Sequence, residues 1–133
     1  MKVSTAPIDS VLGEVDAVIT AGNSYGEMSG GVDRAVAAAL PGVQRAVWAH
    51  MAERHLGYQP VGTADVVPTG YDKCRWLVYA PTMRVPRPLT HGRDIAVHDA
   101  FWAELVAISR HNANSEADRI SAVACPGFGT GYG

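Results

Sequence analysis

The sequence predicts an α/β fold, a three-layer α/β/α sandwich with a mixed central sheet. Two observations favour this fold. Short apolar runs alternate with segments in which apolar residues recur at the helical period, which is typical of strands separated by helices. Two of the apolar runs are instead joined by a short connection rich in turn formers, which predicts an antiparallel pair and therefore a mixed sheet.

The first strand and the first two helices are predicted between residues 15 and 57. Residues 15–20 form a short apolar run typical of a buried strand, and residues 21–26 follow as a cluster of turn formers. A helical period begins at Gly31, and Pro41 opens a second helix that Gly57 ends. The side chains predicted to face the core are Val32, Ala35, Val36, Ala39 and Leu40 in the first helix, and Val43, Val47, Met51 and Leu56 in the second.

The remaining elements are two paired strands, a loop, a helix and a last strand. Residues 63–67 and 75–80 are predicted to pair antiparallel, residues 81–93 to form a loop, and residues 119–125 to form a strand. Residues 94–111 are predicted to be helical, with Ile95, Phe101, Leu105 and Ile108 facing inward.

Composition favours one globular domain. The chain has 133 residues, of which 47% are hydrophobic and 18% charged, and this is close to the average for soluble domains. The net charge of −2 makes nucleic acid an unexpected partner, so an anion would have to be held by local geometry. No apolar run is long enough for a membrane span and no signal peptide precedes residue 8, which favours a cytoplasmic protein.

The cysteines, histidines and tryptophans show no pattern typical of a metal site. Two cysteines are too few for a disulfide framework, and Cys125, which closes an apolar run, is expected to be buried. His50 and His55 are five positions apart and are expected to face different ways in surface or capping roles. The three tryptophans are predicted to pack in the core, namely Trp48, Trp76 and Trp102. No metal or other cofactor is therefore expected.

A basic stretch lies in the loop predicted after residue 81. Its charged residues are Arg84, Arg87, His91 and Arg93. Two interpretations stay open: the stretch guides an acidic substrate or a modified protein tail, or it is simply solvated.

Two glycine-rich turns are the features most typical of a binding site. The first covers residues 29–33 and leads into a helix, and the second covers residues 126–133 after a buried strand. Both are predicted at carboxyl ends of strands, where exposed backbone N–H groups can form anion-binding nests that together would clasp a diphosphate. Either turn taken alone is equally well explained as an ordinary turn. The second turn leaves no room for a Rossmann βαβ unit and lacks the lysine of a phosphate-binding loop.

Residues 16–23 read Asp-Ala-Val-Ile-Thr-Ala-Gly-Asn. This stretch resembles the motif of the macrodomain family, roughly Asp-Ala-Ile-Val-Asn-Ala-Ala-Asn, which a glycine-rich stretch follows. Asp9 lies seven positions before the motif, where the family carries an adenine-binding Asp. Asn23 and Asp33 are ten positions apart, as in macrodomains of the ADP-ribosyl hydrolase type, although Met28 and Ser29 stand where further glycines would be.

The resemblance implies binding of ADP-ribose, with hydrolysis of ADP-ribosyl esters on protein Asp or Glu side chains or on O-acyl-ADP-ribose. It implies that Asn23 holds the distal ribose and that Asp33 orients or activates water. The backbone donors implied for phosphate are Gly30, Gly31 and Val32 in the first turn and Gly127, Phe128, Gly129, Thr130, Gly131 and Tyr132 in the second.

Other interpretations stay open. Asp33 is equally well explained as a first-turn acid that complements the helix dipole. Without turnover the protein would be a reader of ADP-ribose or of ADP-ribosylated proteins, and an α/β domain with no nucleotide site is a third possibility. The resemblance predicts a single macrodomain-like domain over residues 1–133, without the C-terminal helix of the family.

Overall fold

One mixed sheet organises the protein. In the computed structural model, which describes residues 1–87 and 95–128, the sheet contains β1 (Ala17–Asn23), β2 (Asp65–Pro68), β3 (Trp76–Met83) and β4 (Val123–Ala124). The order is β2-β3-β1-β4, with β1 parallel to β3 and β4, and with β2 antiparallel to β3. This confirms the predicted α/β fold and the antiparallel pair.

Helices cover both faces of the sheet. The three α-helices among the described residues are α1 (Gly31–Ala39), α2 (Val43–His55) and α3 (Ala96–Asn114), and a 3-10 helix spans Ile8–Glu14. Because successive strand residues point to opposite faces, Val18 packs with α1 and α2, whereas Ala17 and Ile19 pack on the face covered by α3. The two apolar clusters lie on opposite faces of the sheet and make the fold a three-layer sandwich.

A side-chain carboxylate joins the start of β1 to the segment before β4, in addition to the backbone hydrogen bonds between the strands. Asp16 precedes β1, and its Oδ2 accepts hydrogen bonds from the N–H groups of Ser121 (2.8 Å) and Ala122 (2.9 Å). These bonds anchor the segment that leads into β4. The strand predicted over residues 119–125 is confined in the structure to Val123–Ala124. β3, in contrast, is longer than predicted and continues to Met83, within the segment predicted to be a loop.

The helix ends follow backbone conformation. Gly42 before α2 and the pair Leu56 and Gly57 after it have φ values of 96°, 53° and 90°. The left-handed conformation ends the helix before Leu56 and turns that side chain into solvent. The prediction that Leu56 faces the core is therefore wrong.

The buried face of α3 differs from the predicted one. Ile95, Phe101 and Leu105 are exposed, while Ala100 and Glu104 are buried and Ile108 packs against the apolar cluster. Positions 100, 104 and 108 recur every four residues and form one stripe. The stripe richest in large apolar residues is therefore not the one that packs against the sheet.

Three further predictions are corrected by burial. Trp48 and Trp102 are exposed and only Trp76 packs against the core, and Cys125 is exposed whereas Cys74 is buried. Trp48 and Trp102 lie on outer faces of helices that already bury another stripe against the sheet. Cys125 follows the last residue of the short β4, where the buried strand has ended.

His50 and His55 converge instead of facing different ways. Their Nε2 atoms both approach Oδ2 of Asp65 in β2, that of His50 at 3.4 Å. Five helical positions differ by about 140°, but both side chains reach one acid that lies between them.

In the part of the chain that the structure describes, no helix is long and apolar enough to cross a membrane.

Candidate functional site

A cavity of about 340 Å³ opens at the carboxyl ends of β1 and β3. Its walls come from the end of β1, the turn that leads into α1, the end of β3 and residues 126–128. The predicted site residues that line it are Asn23, Gly30, Gly31, Val32, Asp33, Gly127 and Phe128. The sheet thus brings the first glycine-rich turn and the start of the second to one opening, as expected for parallel strands.

The other predicted site residues have different outcomes. Asp9 lies on the exposed face of the 3-10 helix and is not among the residues that line the cavity. Gly129, Thr130, Gly131 and Tyr132 lie outside the described residues. Their roles stay predictions.

The amide of Asn23 organises the turn that follows β1. Its Oδ1 accepts the N–H groups of Tyr25 (3.1 Å) and Glu27 (3.3 Å), and its Nδ2 donates to the Glu27 carbonyl (2.9 Å). Gln44 of α2 closes the same turn by accepting the Met28 N–H at 2.7 Å. A primary amide carries two N–H donors, and only one Nδ2 hydrogen of Asn23 is used in the described part of the chain.

Tyr79 fixes the backbone beneath Asn23. The Tyr79 hydroxyl donates to the Asn23 carbonyl (2.8 Å) and accepts the Asn23 N–H (3.1 Å). It fills the space beside Gly22, where a Cβ atom would lie 2.1 Å from the hydroxyl oxygen. Only glycine fits at position 22 because the phenol occupies the volume of a side chain. The sequence prediction missed this pair; the one signal available was glycine in place of the last alanine of the family motif.

Asp33 is the most perturbed acid of the cavity. It lies in the first turn of α1 and is 7% exposed, and its Oδ1 has no hydrogen-bond partner among the described residues. Burial raises the pKa of Asp33 to about 7, and the Thr20 hydroxyl nearby opposes the shift, although no hydrogen bond of ordinary geometry joins the two. A carboxyl group with that pKa exchanges a proton near neutral pH, as a general base must.

Tyr79 and Thr20 complete a polar layer around Asp33. Burial raises the pKa of the Tyr79 phenol, and the charge of Asp33 raises it further. Thr20 stands where the family motif has Asn, and it is fully buried. Apart from the bonds of Tyr79 to Asn23, this layer is poor in hydrogen bonds, so the pKa of Asp33 is governed mainly by desolvation.

The first glycine-rich turn presents backbone donors to the cavity. Gly31 has φ = 52° and begins α1, which places left-handed backbone next to helical backbone in the arrangement of an anion-binding nest. The N–H of Arg34 bonds the Gly30 carbonyl at 3.2 Å. The first N–H groups of a helix have no acceptor within that helix. In the described chain this leaves three N–H groups without a backbone hydrogen bond, namely those of Gly31, Val32 and Asp33. This end of α1 is suited to a phosphate.

The opposite wall comes from the segment after β4. Phe128 lines the cavity and meets Phe101 of α3 edge-to-face, with ring centroids 5.8 Å apart. The contact ties this wall to a helix and explains why Phe101 lies outside the core.

Within residues 1–87 and 95–128, no group of three or more His, Cys, Asp or Glu side chains is arranged to hold a metal ion.

Comparisons with known proteins agree on the fold. The Macro domain family matches residues 19–133. A comparison with curated proteins found no match. The fold is similar to that of the Oceanobacillus iheyensis macrodomain with ADP, with a TM-score of 0.66 and 16% identity over 91% of this chain and 60% of that chain.

Two further solved structures are similar. The macrodomain of Mycobacterium tuberculosis DarG gives a TM-score of 0.69 with 21% identity over 98% of this chain and 76% of that one. A mutant Oceanobacillus iheyensis macrodomain with ADPR gives 0.63 with 16% identity over 84% and 57%. The chain spans 56% to 60% of the first three Oceanobacillus chains it matches. Since the family match covers most of the sequence, the chain belongs to the Macro domain family.

Proposed function

We propose that the protein binds ADP-ribose in this cavity and hydrolyses ADP-ribosyl esters. The observation that carries the proposal is the buried, unpaired Asp33 carboxyl, with a pKa of about 7, beside the free N–H groups that begin α1. An acid and an anion site in one opening are what hydrolysis of a diphosphate-bearing ester requires.

Each group has a part in the proposed reaction. The N–H groups of Gly31 and Val32 hold the diphosphate, and Asn23 positions the distal ribose through its remaining Nδ2 hydrogen. Asp33 takes a proton from a water molecule whose oxygen bonds to the ester carbonyl carbon. The bond between that carbon and the ribose oxygen breaks, and Asp33 returns the proton to the ribose oxygen, so that the free carboxylic acid and ADP-ribose leave. Gly127 and Phe128 bound the phosphates from the opposite wall of the cavity.

Two further observations support this assignment. Solved relatives of the same fold are described with ADP and with ADPR, and ADP carries the diphosphate that the helix start is suited to hold. The cavity of about 340 Å³ lies within the range of small-molecule sites.

Calorimetric titration with ADP-ribose, with AMP and ribose 5-phosphate as controls for its two halves, tests the binding. We expect saturable binding that requires both halves. Turnover is tested on a protein mono-ADP-ribosylated at Glu, by following release of ADP-ribose against pH. The rate should rise with pH to a plateau above about 7, since Asp33 must lose its proton, and Asp33→Ala should abolish it while ADP-ribose still binds.

A reader of ADP-ribosylated proteins is the second candidate, and the state of Asn23 favours it. Because the Asn23 Oδ1 already accepts two backbone N–H groups, only one amide hydrogen is free to position the ribose. A reader would bind ADP-ribose as tightly as a hydrolase but release none from the modified protein. Turnover that survives Asp33→Ala would refute the assigned base, and absence of any ADP-ribose binding would refute both candidates.

A further inference from the structure

A second concavity lies on the far side of the sheet from β4 and plays no part in the proposed function. β2 is the edge strand, and its outer side forms the floor of a groove of about 610 Å³ between α2 and α3. His50 and Arg54 line one wall, and Trp102 and Arg110 line the other. We call this the edge groove.

The floor of the edge groove offers unpaired backbone. β2 pairs with β3 alone, and residues 64–67 make no backbone hydrogen bond to any other described segment. In an antiparallel ladder alternate residues turn their N–H and C=O groups away from the partner strand. Those outward groups are a template for one more strand.

The walls carry positive charge without a counter-charge. Neither Arg54 nor Arg110 forms an ion pair with any residue in the described ranges. The one acid of the groove, Asp65, is already engaged by His50 and His55. An incoming carboxylate would therefore meet two guanidinium groups and no free acid.

The α3 wall also presents apolar surface. Trp102 is 63% exposed at the rim, and the side chains between it and Arg110 are small, namely those of Ala103, Val106 and Ala107. Such a wall accepts the apolar side chains that alternate with acidic ones along an extended peptide.

We propose that the edge groove binds an extended acidic segment of a partner protein, which adds a strand to the outer edge of β2 and places carboxylates at Arg54 and Arg110. A polypeptide fits better than a nucleic acid strand because only another backbone satisfies the strand edge in register. The net charge of −2 also provides no general attraction for nucleic acid. The proposal does not depend on ADP-ribose binding.

Fluorescence anisotropy with the full chain tests the groove. The probe is a labelled peptide of alternating Glu and Val, about eight residues long so that it exceeds the length of β2. We expect saturable binding that weakens about tenfold or more in Arg54→Glu and in Arg110→Glu. Arg45→Glu, an exposed α2 residue that is not in the groove, should bind like the wild type. Circular dichroism spectra and thermal melts should be unchanged in all three variants, which verifies that they fold.

Two further probes separate the possible occupants. A peptide N-methylated at alternate amides keeps its charge but cannot pair with a strand edge, so its binding should be lost. A single-stranded oligothymidylate of similar length should not compete. The proposal is overturned if the acidic peptide fails to bind, if the N-methylated or a Lys-Val peptide binds equally well, if the Arg variants have no effect, or if the oligonucleotide displaces the peptide.

Discussion

Asp33→Asn should make the protein more stable at neutral pH and inactive in ester hydrolysis. The Asp33 carboxyl is 7% exposed and lacks a partner for Oδ1, and its pKa is about 7 against 3.8 in an unfolded chain. The folded state therefore holds the proton more tightly than the unfolded state. The free energy of unfolding is therefore highest below pH 3.8, falls as the pH rises from 3.8 to about 7, and stays constant above about 7 as far as Asp33 is concerned.

The magnitude follows from the difference between the two pKa values. A difference of about three units corresponds to about 4 kcal/mol at the plateau, at 1.36 kcal/mol per unit. Asparagine has the shape of the protonated acid and never ionises, so Asp33→Asn should unfold with about 4 kcal/mol more free energy at pH 8 and with little difference at pH 4.

Urea denaturation followed by circular dichroism at pH 4, 6 and 8 measures this difference. Asp72→Asn, the same change at an exposed position, is the control and should match the wild type at each pH. If Asp33→Asn is as stable as the wild type at pH 8, or if its advantage does not grow between pH 4 and 7, then Asp33 is not held protonated by burial and the basis for its catalytic role fails.

Three further changes test other parts of the structure. Gly22→Ala should destabilise the fold and weaken ADP-ribose binding because the new methyl group would lie 2.1 Å from the Tyr79 hydroxyl oxygen. Gly13→Ala is the control, since its methyl group would enter open space. Thermal melts and ADP-ribose titrations of both variants test this, and equal melting temperatures would contradict it. Glu104 is fully buried with no partner for either oxygen, and burial raises its pKa to about 9. Its folded pKa lies above the usual value, so Glu104→Gln should gain about 3 kcal/mol in urea unfolding at pH 7 and nothing at pH 4; a loss at pH 7 would refute this. Burial opposes ionisation of Asp65, but the nearby His50 and the hydrogen-bonded His55 hold its pKa below 3.8. Asp65→Asn should therefore lose stability at pH 7, with a deficit that shrinks as the pH falls below 3.8, and an equal deficit at both pH values would exclude the ion pairs as its cause.

The elements and the site spacing could be read from the sequence because both depend on local order. The glycine-rich turn before α1 begins a helix as predicted, since a glycine at position 31 tolerates φ = 52° without strain. Asn23 lies at the end of β1 as expected for a polar residue after an apolar run. Parallel pairing of β1 with β3 and β4 then brings the turns together.

Other features depend on which side chains meet across the sheet, and no local pattern contains that information. The face of α3 was predicted wrongly because the helix has two apolar stripes and only packing selects one. His50 and His55 converge because β2 places Asp65 between them. Tyr79 and Gly22 are 57 positions apart along the chain, yet each is constrained by the volume of the other.

The sequence by itself determined the order of strands and helices, the positions of the turns and the membership of a family, because hydrophobic period, glycine conformation and motif spacing are properties of neighbouring residues. Only the tertiary structure decided that Asp33 is buried away from solvent and that the Asn23 Oδ1 accepts hydrogen bonds within a turn. It also decided that the edge of β2 lies between two arginines that form no ion pair in the described chain. Desolvation and unpaired charge are properties of a site's surroundings, and these exist only after distant segments have packed.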